Sequence, residues 1–271
     1  TGTLSMPGNV YDQSHLYIGG TFGGSSIEPG DSLKLIFDTD GATLSVSGQR
    51  ARLIVEGYSP AVRNVEIAGL GAGVNGVIDS SGGRKGLTFD NVYAHNLSSV
   101  KLAADGDEGS TRQIQGSLIQ TTGSGYALTP GVTELITGNV IQTAGHGVNG
   151  LGSGSTFSGN TLTRTGARGG NGIDFPSYPG SGQTVANNVI SGFDRGISEM
   201  WRLYNITFQN NQIDDCNYGL RWTNNGGGSD VSFRSIGDKF GTVTPNATYD
   251  VYIANINNGN GAFHFDGTVL A

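Results

Sequence analysis

The sequence predicts an all-β fold, a single-stranded right-handed parallel β-helix of about nine rungs, and two interleaved ladders of residues predict it. The first ladder is an apolar residue, any residue, a small residue or Asn, and then Asn or Ser. It reads Ile114-Gln115-Gly116-Ser117, Ile136-Thr137-Gly138-Asn139, Phe157-Ser158-Gly159-Asn160, Val185-Ala186-Asn187-Asn188 and Phe208-Gln209-Asn210-Asn211. Its fourth position recurs after 22, 21, 28 and 23 residues, so rungs span 21–28 residues. The second ladder is a small residue followed by an apolar one: Gly76-Val77, Ser99-Val100, Gly125-Tyr126, Gly147-Val148, Gly172-Ile173, Gly196-Ile197 and Gly219-Leu220. Its spacings are 23, 26, 22, 25, 24 and 23 residues, and the two ladders alternate without exception.

Each unit carries short apolar stretches that alternate at period two, which argues for strands. About three such strands per unit cannot bury a core alone, but stacked units pair each strand in parallel with its copy above and below. Gly and Asn at the corners tolerate the positive φ that sharp bends demand. Asn recurring at one corner predicts an internal side-chain ladder. Composition agrees: 47 of 271 residues are Gly and only 14% are charged, too few charges for a disordered polyelectrolyte.

Taken in order, residues 1–48 form an irregular entry, with Ser26-Ile27-Glu28-Pro29-Gly30-Asp31 as a turn feeding the first strand. Regular rungs run from 49 to 271, with insertions at Asn224–Asp230 and Thr242–Tyr249. No linker divides the chain, so residues 1–271 are read as one domain. The sequence starts at Thr1 rather than Met and is read as a trimmed or mature product.

A net charge of −7 argues against nucleic acid and, more mildly, against an anionic membrane as partner. A single cysteine, Cys216, excludes an internal disulfide and a cysteine-based zinc site. Two GxGxxG matches, Gly71–Gly76 and Gly145–Gly150, fall on the turn ladder with no helix to follow, so they do not predict a dinucleotide site. Gly169–Pro176 matches one calcium-binding nonapeptide, but such sites need tandem copies. The sequons at Asn96, Asn205 and Asn246 are expected by accident in a chain this rich in Asn, Ser and Thr.

Strand alternation after each ladder glycine predicts an outward stripe of Ile78, Lys101, Ala127, Asn149, Asp174, Ser198 and Arg221. The next position turns inward and reads Leu102, Leu128, Gly150, Phe175, Glu199 and Trp222, among which the carboxylate of Glu199 is anomalous. Asp174 and Glu199 lie one rung apart, which would put their carboxyl groups roughly 5–8 Å from each other, a range that spans retaining and inverting glycosidases. Asp174, Glu199, Arg202 and Arg221 are therefore the candidate catalytic residues. Asn149, Tyr178, Trp201, Tyr204 and Lys101 are candidate substrate-binding residues, because aromatic rings stack on sugars and polar side chains bind their hydroxyls. Asp214-Asp215 is a second acidic pair, read as part of a turn beside the Asn ladder.

These units resemble the right-handed parallel β-helix, pectate-lyase-like superfamily over about Gln49 to Leu270. The resemblance implies polysaccharide binding, with cleavage by a hydrolase or a lyase, as in free depolymerases or the receptor-cleaving tailspikes of phages. It implies an extracellular or virion-surface location. No cofactor is expected, except that a lyase would add a calcium ion held by Asp174. The alternative is a non-catalytic adhesin or tail-fibre shaft. A tailspike-type module would form a homotrimer, with outward apolar residues such as Ile78, Ala127 and Val92 covered by neighbours. An ice- or mineral-binding solenoid would need a regular Thr face, which the outward stripe lacks.

Overall fold

Three parallel sheets, wound in the repeating order first, second, third, make a β-solenoid. The computed structural model describes the strand backbones throughout. It describes side chains from residue 89 to 271, apart from 98, 101–112, 131–134, 176–180, 199–204, 224–231 and 255–261. No helix occurs among the described residues. The first sheet has eleven strands, from Thr3–Leu4 through Ala42–Val46 to Val269–Leu270. The second has nine, from Arg52–Ile54 to Tyr249–Ala254, and the third has nine, from Ala61–Arg63 to Gly261–Asp266. The expected count of nine rungs is thus corrected on one face, where the pairing of Thr3 with Thr43 extends the stack. The reason is that strand-length apolar pieces at the N-terminal end pair without carrying either ladder motif.

The core is built from one inward column per sheet. In the first sheet Ala94, Ile119, Ile141, Leu162, Ile190, Ile213 and Phe240 stack in register. In the second, Val100, Leu128, Val148, Ile173, Ile197 and Leu220 do the same. Phe89, Ile114, Ile136, Phe157, Val185 and Phe208 complete the third. All are nearly inaccessible, and each buried aliphatic side chain contributes about 1.5–3 kcal/mol.

The Asn corner forms the predicted ladder. The backbone N–H and the side-chain amide of Asn139 both donate to Oδ1 of Asn160, at 2.9 Å each. Asn160 repeats this towards Asn188, and Asn188 towards Asn211. Each side-chain amide also donates to a carbonyl inside the coil, Ile114 for Asn139 and Ile136 for Asn160. The ladder runs one rung beyond the sequence motif, to Asp238, whose Oδ1 accepts from the Asn211 backbone and side chain at 2.7 and 2.8 Å. Asp238 is wholly buried. Burial raises its pKa above the usual carboxylate value, against the opposing pull of hydrogen bonds from Ser235 and Asn211.

The second ladder has a different cause from the first. A Cβ on Gly147, Gly172, Gly196 or Gly219 would run into the backbone carbonyl of Gly172, Gly196, Gly219 or Asp250 on the next coil. The small residue is there because adjacent backbones approach closely, and Ala127, fully buried, fills the same place one rung earlier. Two expectations are corrected by this. Ala127 is not outward, and Tyr126 is not inward: Leu128 pairs with Val148, so Ala127-Leu128, not Gly125-Tyr126, is the ladder pair of that rung.

The apolar residues that reach the surface also differ from those expected. Val92 is 1% exposed and Ala127 is 0% exposed, so neither offers a contact to a neighbour, and the side chain of Ile78 lies outside the described residues. Tyr93, Val140 and Val189 are exposed instead, along one outward column of the first sheet.

Candidate functional site

Five successive strands of the second sheet, from Tyr126–Thr129 to Tyr218–Thr223, carry two outward residues three positions apart, separated by the buried small–apolar pair. The exposure pattern of Tyr126–Thr129 and of His146–Asn149 is outward, buried, buried, outward. The two inward residues in succession break period two, and they yield two parallel outward columns. The column after the pair holds Thr129, Asn149, Asp174, Ser198, Arg221 and Tyr252. Lys101 joins it through its pairing with Thr129, although its side chain is outside the described residues. The column before the pair holds Tyr126 beside His146, and Asn171 beside Arg195, Tyr218 and Tyr249.

The columns meet at Asp174. This carboxylate is 5% exposed. The Tyr126 hydroxyl, from two coils earlier, donates to Oδ2 of Asp174, and so does the Asn171 side-chain amide at 2.8 Å. Oδ1 is buried without a hydrogen-bond partner. Burial, followed by the hydrogen bond and the negative charge of Asp174, raises the Tyr126 pKa above that of an ordinary phenol. The His146 ring packs against that of Tyr126, tilted by 41°, with ring centroids 4.7 Å apart. Its Nδ1 accepts the backbone N–H of Asn171 at 3.1 Å. Burial lowers the His146 pKa, and the cations Arg164 and Arg195 add to that, while Asp174 opposes it.

Towards the C-terminal end the face becomes cationic and aromatic. The Arg221 guanidinium lies 5.2 Å from the Tyr218 ring centre and 6.0 Å from that of Tyr252, a stacking worth about 0.5–1 kcal/mol at partly exposed sites. Tyr218 stacks in turn on Tyr249 at 5.9 Å. Arg195 pairs with Asp194 at 3.5 Å. The Nε atoms of Arg195 and Arg221 are buried without hydrogen-bond partners.

Asn149, Asp174 and Arg221 therefore share one column, with Ser198 between Asp174 and Arg221. Glu199 pairs through its backbone with Phe175 and Trp222, which are 1% and 0% exposed; its side chain lies outside the described residues, as do Tyr178, Trp201, Arg202 and Tyr204 entirely. Asp214 is 6% exposed and accepts from Gln212, while Asp215, at φ +54°, is ion-paired with Arg168. Asp214 ends the first-sheet strand Gln212–Asp214, and Asp215 stands at the corner that leads into the second-sheet strand Tyr218–Thr223.

The residues missed by strand alternation are Tyr126, His146, Asn171, Arg195, Tyr218 and Tyr252. A signal for them exists: residues three apart, flanking each small–apolar pair, are polar or aromatic in six successive units. Among the described residues no three His, Cys, Asp or Glu side chains gather as metal ligands. Among the described residues the partners of Asp174 are a phenol and an amide, both donating to it, which do not make up the six to eight oxygen ligands of the calcium attached to the lyase expectation.

No protein-family profile matches the chain, and no curated protein matches it. Among solved structures it is similar to the A-module of the Azotobacter vinelandii mannuronan C-5 epimerase AlgE6, at 14% identity and a TM-score of 0.22, over 85% of this chain and 90% of that one. A similarity of that size carries no functional argument, and the site has to speak through its own geometry.

Proposed function

We propose that the chain binds a polysaccharide along the second sheet and cleaves it beside Asp174. The observation that supports this is the meeting of two axial columns of polar and aromatic side chains at a carboxylate with one unpartnered oxygen. Strands repeat about every 4.8 Å, so a polymer lying along the axis meets a new pair of side chains on every rung. Tyr218, Tyr249 and Tyr252 offer ring faces to the apolar faces of sugars. Arg195 and Arg221 offer N–H donors to hydroxyl or acid groups. A buried acceptor without a donor is uncommon in folded proteins, and a proton from substrate or water completes Asp174 Oδ1. Hydrolysis and β-elimination both call for such a carboxylate near the scissile bond, and an extracellular or virion-surface setting accompanies either.

The test is a depolymerisation screen of wild type and Asp174→Asn on neutral and acidic polysaccharides, reading reducing ends and the absorbance of unsaturated products together. We expect cleavage by wild type and a loss of at least about a hundredfold in the variant. The absorbance separates lyase from hydrolase. A second reading, a binding module without catalysis, draws on the 5% exposure of Asp174. Polymer retained on the protein but never shortened selects that reading.

A further inference from the structure

We propose that His146 is a neutral hydrogen-bond donor, locked with its proton on Nε2, that gives this proton in a hydrogen bond to an oxygen of the bound polymer, and that Asn171 is the positioning residue that locks it. The inference rests on the reading of the second sheet as the polymer face.

The geometry is specific. A neutral imidazole carries one N–H and one lone pair. The lone pair is fixed by the Asn171 backbone N–H, which donates to Nδ1 of His146 at 3.1 Å. An N–H cannot be accepted by a protonated nitrogen, so the ring proton belongs on Nε2. The Asn171 side chain meanwhile donates to Asp174 at 2.8 Å, so one residue orients both groups. The Tyr126 ring also packs against it, tilted by 41°. The groups that bear on its charge are Asp174, Arg164 and Arg195. Burial and the two cations outweigh the carboxylate and keep the ring neutral. A ring in this state has no free lone pair to take a proton from a sugar carbon. It offers a donor instead, in the same column as the Arg195 guanidinium two coils on.

The test begins with nitrogen-15 NMR of the imidazoles in the full chain, with the His146→Gln variant assigning the signal. At neutral pH we expect a pyridine-type Nδ1 and a pyrrole-type Nε2, and protonation only below the ordinary imidazole range. A proton on Nδ1, or a charged ring at neutral pH, overturns the assignment. Binding to the polymers of the screen is then measured by affinity electrophoresis. His146→Gln keeps an N–H donor and should bind within about threefold of wild type, whereas His146→Leu should lose on the order of tenfold. Equal binding by wild type and His146→Leu overturns the donor role alone. Failure of wild type to bind any polymer overturns the reading of the whole face, and the donor role with it.

Discussion

The Tyr126 hydroxyl reaches past the His146 strand to donate to Asp174, two coils away along the solenoid. A hydrogen bond between such distant coils ties the outer face together where the core columns already tie the inner one. It also bears on the ionisation of the phenol. Burial first, and then the Asp174 hydrogen bond and charge, hold the phenol protonated beyond the usual tyrosine range. Removing the charge in Asp174→Asn takes away the third cause, weakens the second because an amide oxygen accepts less strongly than a carboxylate, and leaves the first. The Tyr126 pKa should therefore fall towards the ordinary value without reaching it. Ultraviolet difference titration of wild type and variant, with Tyr126→Phe to identify the transition, checks this. An unchanged titration would show that the carboxylate does not bear on the phenol.

The Asn ladder predicts a large cost for small changes. In Asn188→Ala, the backbone and side-chain amides of Asn160 lose their shared acceptor, and the Phe157 carbonyl loses its donor. All lie in the buried corner, where an unsatisfied polar group costs about 1–3 kcal/mol. A destabilisation of about 3–5 kcal/mol by urea denaturation is expected, well above that of an exposed polar-to-Ala change such as Thr242→Ala.

Cys216 offers a probe of opening. It is the sole cysteine, 0% exposed, and burial pushes its thiol up to about 12. Since the thiolate is the reactive species, labelling by a thiol reagent at neutral pH should be negligible in the folded chain. It should appear at the rate at which the Cys216 coil opens in denaturant. Rapid labelling under native conditions would contradict the burial.

The solenoid and its core were legible in the sequence because backbone hydrogen bonding repeats there. Asn139, Asn160, Asn188 and Asn211 mark one corner, and the period follows. Asp238 escaped that pattern because it is not Asn, although its Oδ1 does the same work. The site was legible only in part. Asn149, Asp174 and Arg221 fall in one column as alternation predicts. The neighbouring column was hidden because Gly172 and Ile173 both turn inward, so counting by twos from the glycine never looks back to Asn171. The same slip misassigned Ala127 and Tyr126, where a glycine at 125 stood two residues before the true close-approach position.

The last prediction concerns Asp238, at the end of the ladder. Its folded pKa is raised, so the folded state holds the acidic proton more tightly than the unfolded chain does. The linkage has a definite sign: the stability tied to this group is fully present below the unfolded carboxylate pKa, near 3.9. It is lost as pH rises through the raised folded value. Above that value the charge on the wholly buried carboxylate is thus a cost. Asn in its place retains an oxygen for the Asn211 backbone and side-chain amides. The Ser235 hydroxyl, which now donates to Oδ2 at 2.5 Å, can rotate to accept from the new amide. Asp238→Asn should therefore raise the melting temperature at pH 7. The gain should shrink as pH falls and wild type regains its proton. Calorimetry of both proteins across that range checks the slope as well as the sign. A variant less stable than wild type at pH 7 would mean that the charge, with its four donors, stabilises the ladder end more than desolvation costs it.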